Sequence, residues 1–331
     1  MAITQNTGLN NSYDTLLTSK LRTWMKANPV EQTAAGRSFI ERVYKTGKHT
    51  MSPAKEYTVP VSFIESAKGG YYTGAGVTST TGSDDVTIAR YNHISRTEPI
   101  KLFREDKKLT VQGQFDLLTH KIKQARLRMR IALNTDMLAT AKASGGPETV
   151  PLAIAEAPSG TAFGGIDSNS TGMGGWANQF TDTSAGFAAN IDDWDLMIMK
   201  CAKYSHTGGP NYILATPAIE TYLKAEARSN QAIDVGSTAA SGRFADTGYT
   251  GTFFQGIPLI SDQNSVAESA FFINDSAMYL NVDPTDDFVI EGPFPLQPGG
   301  QHGDLWNVYW GGQLIVEERG ALGVIFDITG A

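Results

Sequence analysis

The stretch VQGQFDLLTHKIKQARLRMRIALNTDMLATAKA, residues 111–143, constrains the fold more than any other part of the chain. Phe115, Leu118, Ile122, Ala125, Met129, Ala132 and Leu133 recur at the i, i+3, i+4 and i+7 spacing of one buried helix face. About 30 residues at 1.5 Å each make a rod of roughly 45 Å. Lys121, Lys123, Arg126, Arg128 and Arg130 occupy much of the remaining surface, five cations in ten residues with no acid among them. A charge run is usually a solvated helix face, but such faces ordinarily mix both signs.

The period is different upstream of this rod. Tyr57, Val59, Val61 and Phe63 alternate with Thr58, Pro60 and Ser62, the pattern of a half-buried strand, and Pro60 places it at an edge. A Gly- and Thr-rich tip, GGYYTGAGVTSTTGSDD, leads into a return limb, VTIARYNHISRTEPIKLFRE. The two limbs predict a long β-hairpin whose return limb reaches roughly 60 Å at about 3.3 Å per residue. Its faces are only modestly apolar, so the hairpin is expected to project and to lie on a neighbouring molecule. Ahead of it, YDTLLTSKLRTWMKAN and RSFIERVYK read as short helices stopped by Pro29 and Gly47. Both are too short to be stable undocked.

Downstream, TAFGGIDSNSTGMGGWANQF (161–180) clusters five glycines around Asp167 and Trp176 without periodicity. Beyond it, DDWDLMIMKCAKYS and TPAIETYLKAEARS read as helices, the second with Thr216 as N-cap and Pro217 at its first position. Short strands are expected at NYILA, GIPLI, AFFIN, MYLNV and FVI. Residues 231–252 read as a surface loop, and the C-terminal segment as β-structure broken at Gly311-Gly312 and Gly320. The whole is an α+β chain of 331 residues, long enough for one large or two medium domains.

Charge is divided unevenly. Residues 1–150 carry 21 Lys and Arg against 13 Asp and Glu, a balance of +8, and the remainder carries −15. Such polarity suits head-to-tail self-association, or one face turned to a polyanion. No apolar run approaches the ~18 residues of a membrane span, the N-terminus lacks a signal-peptide pattern, and the lone Cys201 cannot form an internal disulfide. The expectation is a chain that folds in a cytosol-like compartment.

Motifs for chemistry are missing. GAG at 74–76 lacks the third glycine of a dinucleotide loop. The glycines at 164–175 lead into further glycines where a phosphate cradle needs a helix, and Gly47-Lys48 has no upstream glycine for a P-loop. There is no nucleophile elbow and no H-E-x-x-H zinc motif. The histidines at 49, 93, 120, 206 and 302 have no partner at ligand spacing. Asp192, Asp193 and Asp195 open a helix, where carboxylates meet free N–H groups. The expectation is no catalytic residue, no cofactor and no metal. An enzyme with an unrecognised site remains an alternative, as does a tail or decoration protein.

The order of parts carries the functional signal: arm, β-ribbon, long helix, Gly-rich connector, mixed α/β region, terminal strands. With RYNHISRTEPIKLFREDKKL, FDLLTHKIKQARLRM and Gly164, Gly165, Ile166, Asp167, Trp176 and Asn178, it resembles the major capsid protein of tailed bacteriophages with the HK97 fold. The resemblance implies an N-arm at 1–53, an extended loop at 54–108 and a peripheral domain at 109–185 with its spine helix and connector. It further implies an axial domain at 186–299 and returning peripheral strands at 300–331. It implies a virion subunit, assembled in the host cytoplasm into pentamers and hexamers of an icosahedral head enclosing double-stranded DNA. Expected partners are copies of itself, a scaffold protein, a portal, a decoration protein and DNA contacted without sequence reading, with no membrane. Lys121, Lys123, Arg126, Arg128 and Arg130 would face DNA or scaffold. Trp24, Tyr71, Tyr72, Arg90 and Arg96 would contact neighbouring subunits.

Overall fold

A computed structural model of the chain describes residues 38–50, 54–62, 86–103, 117–156, 162–170, 173–183, 191–230, 252–296 and 303–329. In chain order the elements are α1 (Ser38–Thr46), β1 (Lys48–Thr50), β2 (Glu56–Ser62), β3 (Val86–Asn92), β4 (Ile94–Phe103), α2 (Leu117–Leu138) and α3 (Val150–Ala153). Then come β5 (Ala162–Phe163), β6 (Ile166–Asp167), β7 (Gln179–Asp182), α4 (Ile191–Lys203), β8 (Tyr212–Ala215) and α5 (Pro217–Asn230). The chain closes with β9 (Thr252–Phe254), β10 (Ile257–Ser261), β11 (Ala270–Ile273), β12 (Met278–Val282), β13 (Val289–Pro295), β14 (Gly303–Val316) and β15 (Gly323–Phe326). The expected helix before Pro29, the ribbon tip and the loop at 231–251 lie outside the described residues.

Two sheets organise the molecule. In the first, β14 is the axis: β4 pairs along one side over ten positions, from Gly303 opposite Phe103 to Gly312 opposite Ile94. On its other side β12 and β13 run in line, pairing with 312–316 and 304–309, and β1 joins β12 in parallel. The second sheet has the order β7-β15-β11-β8-β10-β9. One of its faces packs on α4 and α5 through Trp194, Met197, Cys201, Ile219 and Leu223. The other, with Tyr212, Leu214, Phe271 and Val324, closes the main core. On the α4 side the Cys201 thiol is fully buried, and desolvation pushes it up to about 12. The strands of ranges 186–299 and 300–331 are thus shared between both sheets.

The long helix forms where its apolar line lies. Ala125, Met129, Leu133 and Met137, four residues apart, are buried against the core, with Ile122 partly buried beside them. It ends at Leu138, five residues short of the expected 143. The next position on the line, Ala141, is exposed, and a loop follows in which Gly145 takes φ +72° and Lys142 pairs with Glu148. Two further expectations need correction. Only the first seven residues of the hairpin's return limb pair with the outgoing strand. After His93 the chain leaves the ribbon as β4, because Ile100 and Leu102 bury their side chains in the body. Nor does Gly311-Gly312 break β14. A Cβ at Gly312 would stand 2.5 Å from the Asn281 carbonyl oxygen, so glycine is what lets the strands meet there.

Candidate assembly surfaces

The ribbon formed by β2 and β3 has two unlike faces, a consequence of its period of two. Tyr57, Ala89 and Tyr91 turn inward and are buried. The Tyr91 hydroxyl donates to the Val316 carbonyl at 2.8 Å, and burial raises its pKa. Outward stand Thr58, Pro60, Ile88, Arg90 and Val86, all exposed; Ile88 is 48% and Val86 64% accessible. These are large values for β-branched residues in a strand, and mark an apolar surface without cover among the described residues. At the ribbon's root, His93 N–H bonds the Lys55 carbonyl at 3.1 Å, and the His93 Nδ1 lies 3.0 Å from the Tyr57 hydroxyl.

The glycine-rich connector holds this ribbon down. Gly164 and Gly165 take φ +62° and +81° between β5 and β6, the two left-handed positions of a tight two-residue hairpin. The Gly164 carbonyl accepts from Arg90 N–H at 2.8 Å, and a Cβ on Gly164 would meet the Tyr91 hydroxyl at 3.0 Å. Asp167 Oδ1 accepts from Asn169 N–H at 2.9 Å, closing an Asx turn. The buried Trp176 donates its indole N–H to the Phe163 carbonyl at 3.0 Å, and Asn178 donates to the Ala155 carbonyl at 2.8 Å. Gly164→Ala should therefore cost about 2 kcal/mol, from left-handed strain plus the contact with Tyr91. Gly165→Ala, with nothing within 4 Å of the new Cβ, should cost about 1 kcal/mol. Urea unfolding of the two variants tests this order.

The cations of α2 are largely engaged with their own chain. Lys121 Nζ donates to the Lys101 carbonyl at 3.0 Å, and Arg126 Nη2 to the Phe288 carbonyl at 3.2 Å. Arg128 Nε pairs with Glu98 at 2.7 Å. The Arg130 guanidinium lies 5.0 Å from the Phe288 ring centroid. Lys123 is exposed. Arg96 pairs with Asp136 of the same helix, whereas Arg90 reaches Glu56 only at 3.9 Å and remains largely in solvent. Trp24, Tyr71 and Tyr72 lie outside the described residues. Asp192 and Asp193 sit in the first turn of α4, and Asp195 accepts from Gln255 at 2.7 Å. Among the described residues no group of His, Cys, Asp and Glu is placed to hold a metal, and no helix is long and apolar enough to cross a membrane.

Buried polar groups, which no periodicity announces, tie these parts together. Asp262 Oδ2 accepts from Phe39 N–H at 3.1 Å and from Asn134 Nδ2 at 2.9 Å, while Asn134 Oδ1 accepts from Ile40 N–H at 2.9 Å. Together they satisfy first-turn donors of α1 that have no partner within the helix. Gln313 joins the ribbon root to the body, donating to the Asn92 carbonyl at 2.8 Å and accepting from Glu148 N–H at 2.8 Å. Arg319, fully buried, donates to the Ala153 carbonyl at 2.8 Å from its Nε.

No family model matches the sequence, and no curated protein matches it either. Solved structures do. The chain of the cyanophage A-1(L) capsid superposes with a TM-score of 0.67, covering 94% of this chain and 98% of that one at 14% identity. The chain has the HK97-type capsid fold. The same fold relates it to the SrpI encapsulin of Synechococcus elongatus PCC 7942 at TM-score 0.64 and 12% identity, covering 95% of both chains. A native GTA particle capsid matches at TM-score 0.60 and 11% identity, over 94% of this chain and 96% of that one.

Proposed function

We propose that the chain is the major subunit of a phage head, assembling as pentamers and hexamers into an icosahedral shell around double-stranded DNA. The observation that supports this most is coverage: 94% of the chain is matched by 98% of a cyanophage capsid chain. The exposed apolar ribbon face fits the same reading, because a shell subunit needs surface that only a neighbour completes. In this reading the ranges of the sequence analysis keep their labels as arm, peripheral domain and axial domain, and the extended loop is the ribbon of β2 and β3, with β4 belonging to the body sheet. Scaffold, portal and decoration proteins are its expected partners. The encapsulin likeness supports a second reading, a shell enclosing protein cargo. Purified chain imaged by negative stain should give closed shells, and a stable monomer at high concentration would overturn both readings. Nuclease-protected DNA in particles made during infection decides for the head, and a protein-filled, DNA-free lumen decides for the second.

With four of its five cations engaged internally, α2 offers DNA or scaffold chiefly Lys123 and the solvent sides of Arg126 and Arg128. For dissociated subunits binding duplex DNA, Lys123→Ala should flatten the slope of log K against log[salt] by about 0.9. An unchanged slope removes Lys123 from the contact.

A further inference from the structure

Helix α4 presents two opposite faces. Trp194, Met197 and Cys201 are buried on the six-stranded sheet. Asp192, Leu196, Met199 and Lys203 point the other way, and at about 100° per residue they fall within roughly 60° of one another. Leu196 is 41% and Met199 61% exposed, and Asp192 and Lys203 are exposed as well. The outer face is therefore one stripe, reading acid, leucine, methionine, base over about 17 Å of helix. Two large apolar side chains at its centre lie open to solvent, a surface that calls for a partner.

The charges at the two ends of the stripe are in no ion pair among the described residues. Asp192 has another acid for a neighbour: the Asp195 carboxyl is raised above its usual range by burial first and by Asp192 next. Lys203 lies over the Tyr204 ring at 5.2 Å. Nor can Asp192 and Lys203 meet within one helix, since three turns separate them. The stripe is, however, its own complement when reversed. A second α4, turned about a two-fold axis between Met197 and Ile198, sets Asp192 against Lys203 at both ends. The same rotation sets Leu196 against Met199 twice in the middle. A parallel copy would instead bring Asp192 onto Asp192 and Lys203 onto Lys203.

We propose that the outer face of α4 recognises itself, docking antiparallel on α4 of a second copy of this chain. Like meets like, so the contact is isologous and closes at two chains, whereas rings are built by joining unlike faces. A stripe of this length covers well under the ~800 Å² per partner of a standing interface. The pairing is accordingly weak between free chains and is sought at high concentration. It does not depend on the shell reading.

Asp192→Cys and Lys203→Cys are made as separate variants, then oxidised alone and mixed; the native Cys201 is buried. The expected result is a disulfide-linked dimer from the mixture and none from either variant alone. An antiparallel pair holds the two like positions about 17 Å apart, beyond the reach of a disulfide. No dimer from the mixture, or a dimer from Asp192→Cys alone, overturns the proposal. In sedimentation of chains without added cysteine, Lys203→Glu should weaken dimerisation at least tenfold, and Asp192→Lys in the same chain should restore it. Unchanged dimerisation in Lys203→Glu also overturns the pairing. Met199→Glu, an exposed change that leaves the helix charges in place, should abolish the dimer too. Circular dichroism melts of every variant separate loss of contact from loss of fold. Closed shells without the mixed disulfide sink this inference alone, and the mixed disulfide without shells sinks the shell reading alone.

Discussion

Arg319→Ala is expected to destabilise the subunit by about 3–5 kcal/mol, lowering the thermal midpoint by on the order of 10 °C. The guanidinium is fully buried. It donates to the Ala153 carbonyl, with Leu152 O a further 3.4 Å contact, at the C-terminal end of α3, where carbonyls have no partner within the helix. It also lies 5.5 Å from the centroid of Phe163, and so links α3, the connector hairpin and the segment between β14 and β15. Burial lowers its pKa to about 10, which leaves it cationic at neutral pH. Alanine removes the donors, opens a cavity and strands the carbonyls away from water. Arg319→Met keeps the stem and discards a charge that was costly to bury, so it should lose less than alanine does. Equal stability of the alanine variant and the natural protein in thermal and urea melts would overturn this account.

Asp262→Ala should be of similar size, about 3–4 kcal/mol, but local in its consequence. One carboxylate, 1% exposed, accepts from Phe39 N–H, Asn134 Nδ2 and Asn264 N–H. Its removal leaves two buried donors and one part-buried one, each buried donor costing about 1–3 kcal/mol when unsatisfied and partly relieved by local rearrangement. Because two of the three belong to the seat of α1, that helix should open first. Hydrogen exchange should rise at residues 39–46 by at least a hundredfold, while α2 beyond Asn134 and the six-stranded sheet remain protected. Uniform loss of protection across the chain would show instead that α1 is not a separable unit.

The difference between what could and could not be read from the sequence follows from particular residues. The line from Ala125 to Leu133 places α2 because each member is defined by neighbours three or four positions away. Pro217 opens α5, and Gly164-Gly165 makes the tight turn that two adjacent glycines favour, for equally local reasons. The fold class was legible from the order of such parts. The parting of β3 and β4 at His93 was not, since both alternate and only β14, some 200 residues on, decides which of them leaves the ribbon. Gly311-Gly312 read as a break and proved to be the middle of a strand, because the crowding that calls for glycine comes from Asn281 and Trp310.

The same contrast governs the candidate surfaces. Five cations on one helix were evident from spacing, but Glu98 and the Lys101 carbonyl, on β4, and the Phe288 carbonyl, just ahead of β13, which engage three of them, arrive from other parts of the chain. Asp262, Asn134, Gln313 and Arg319 carried no signal at all, since a polar residue destined for burial looks in sequence like one destined for solvent. The sequence by itself therefore determined the elements, their order and the charge they carry, all of which depend on residues within a turn or two of one another. Tertiary structure alone decided which strand each strand pairs with, which charges are neutralised and which apolar faces are left open. Many of those outcomes are set by contacts between positions 20 to 223 residues apart, well beyond a turn or two, and no local period encodes them.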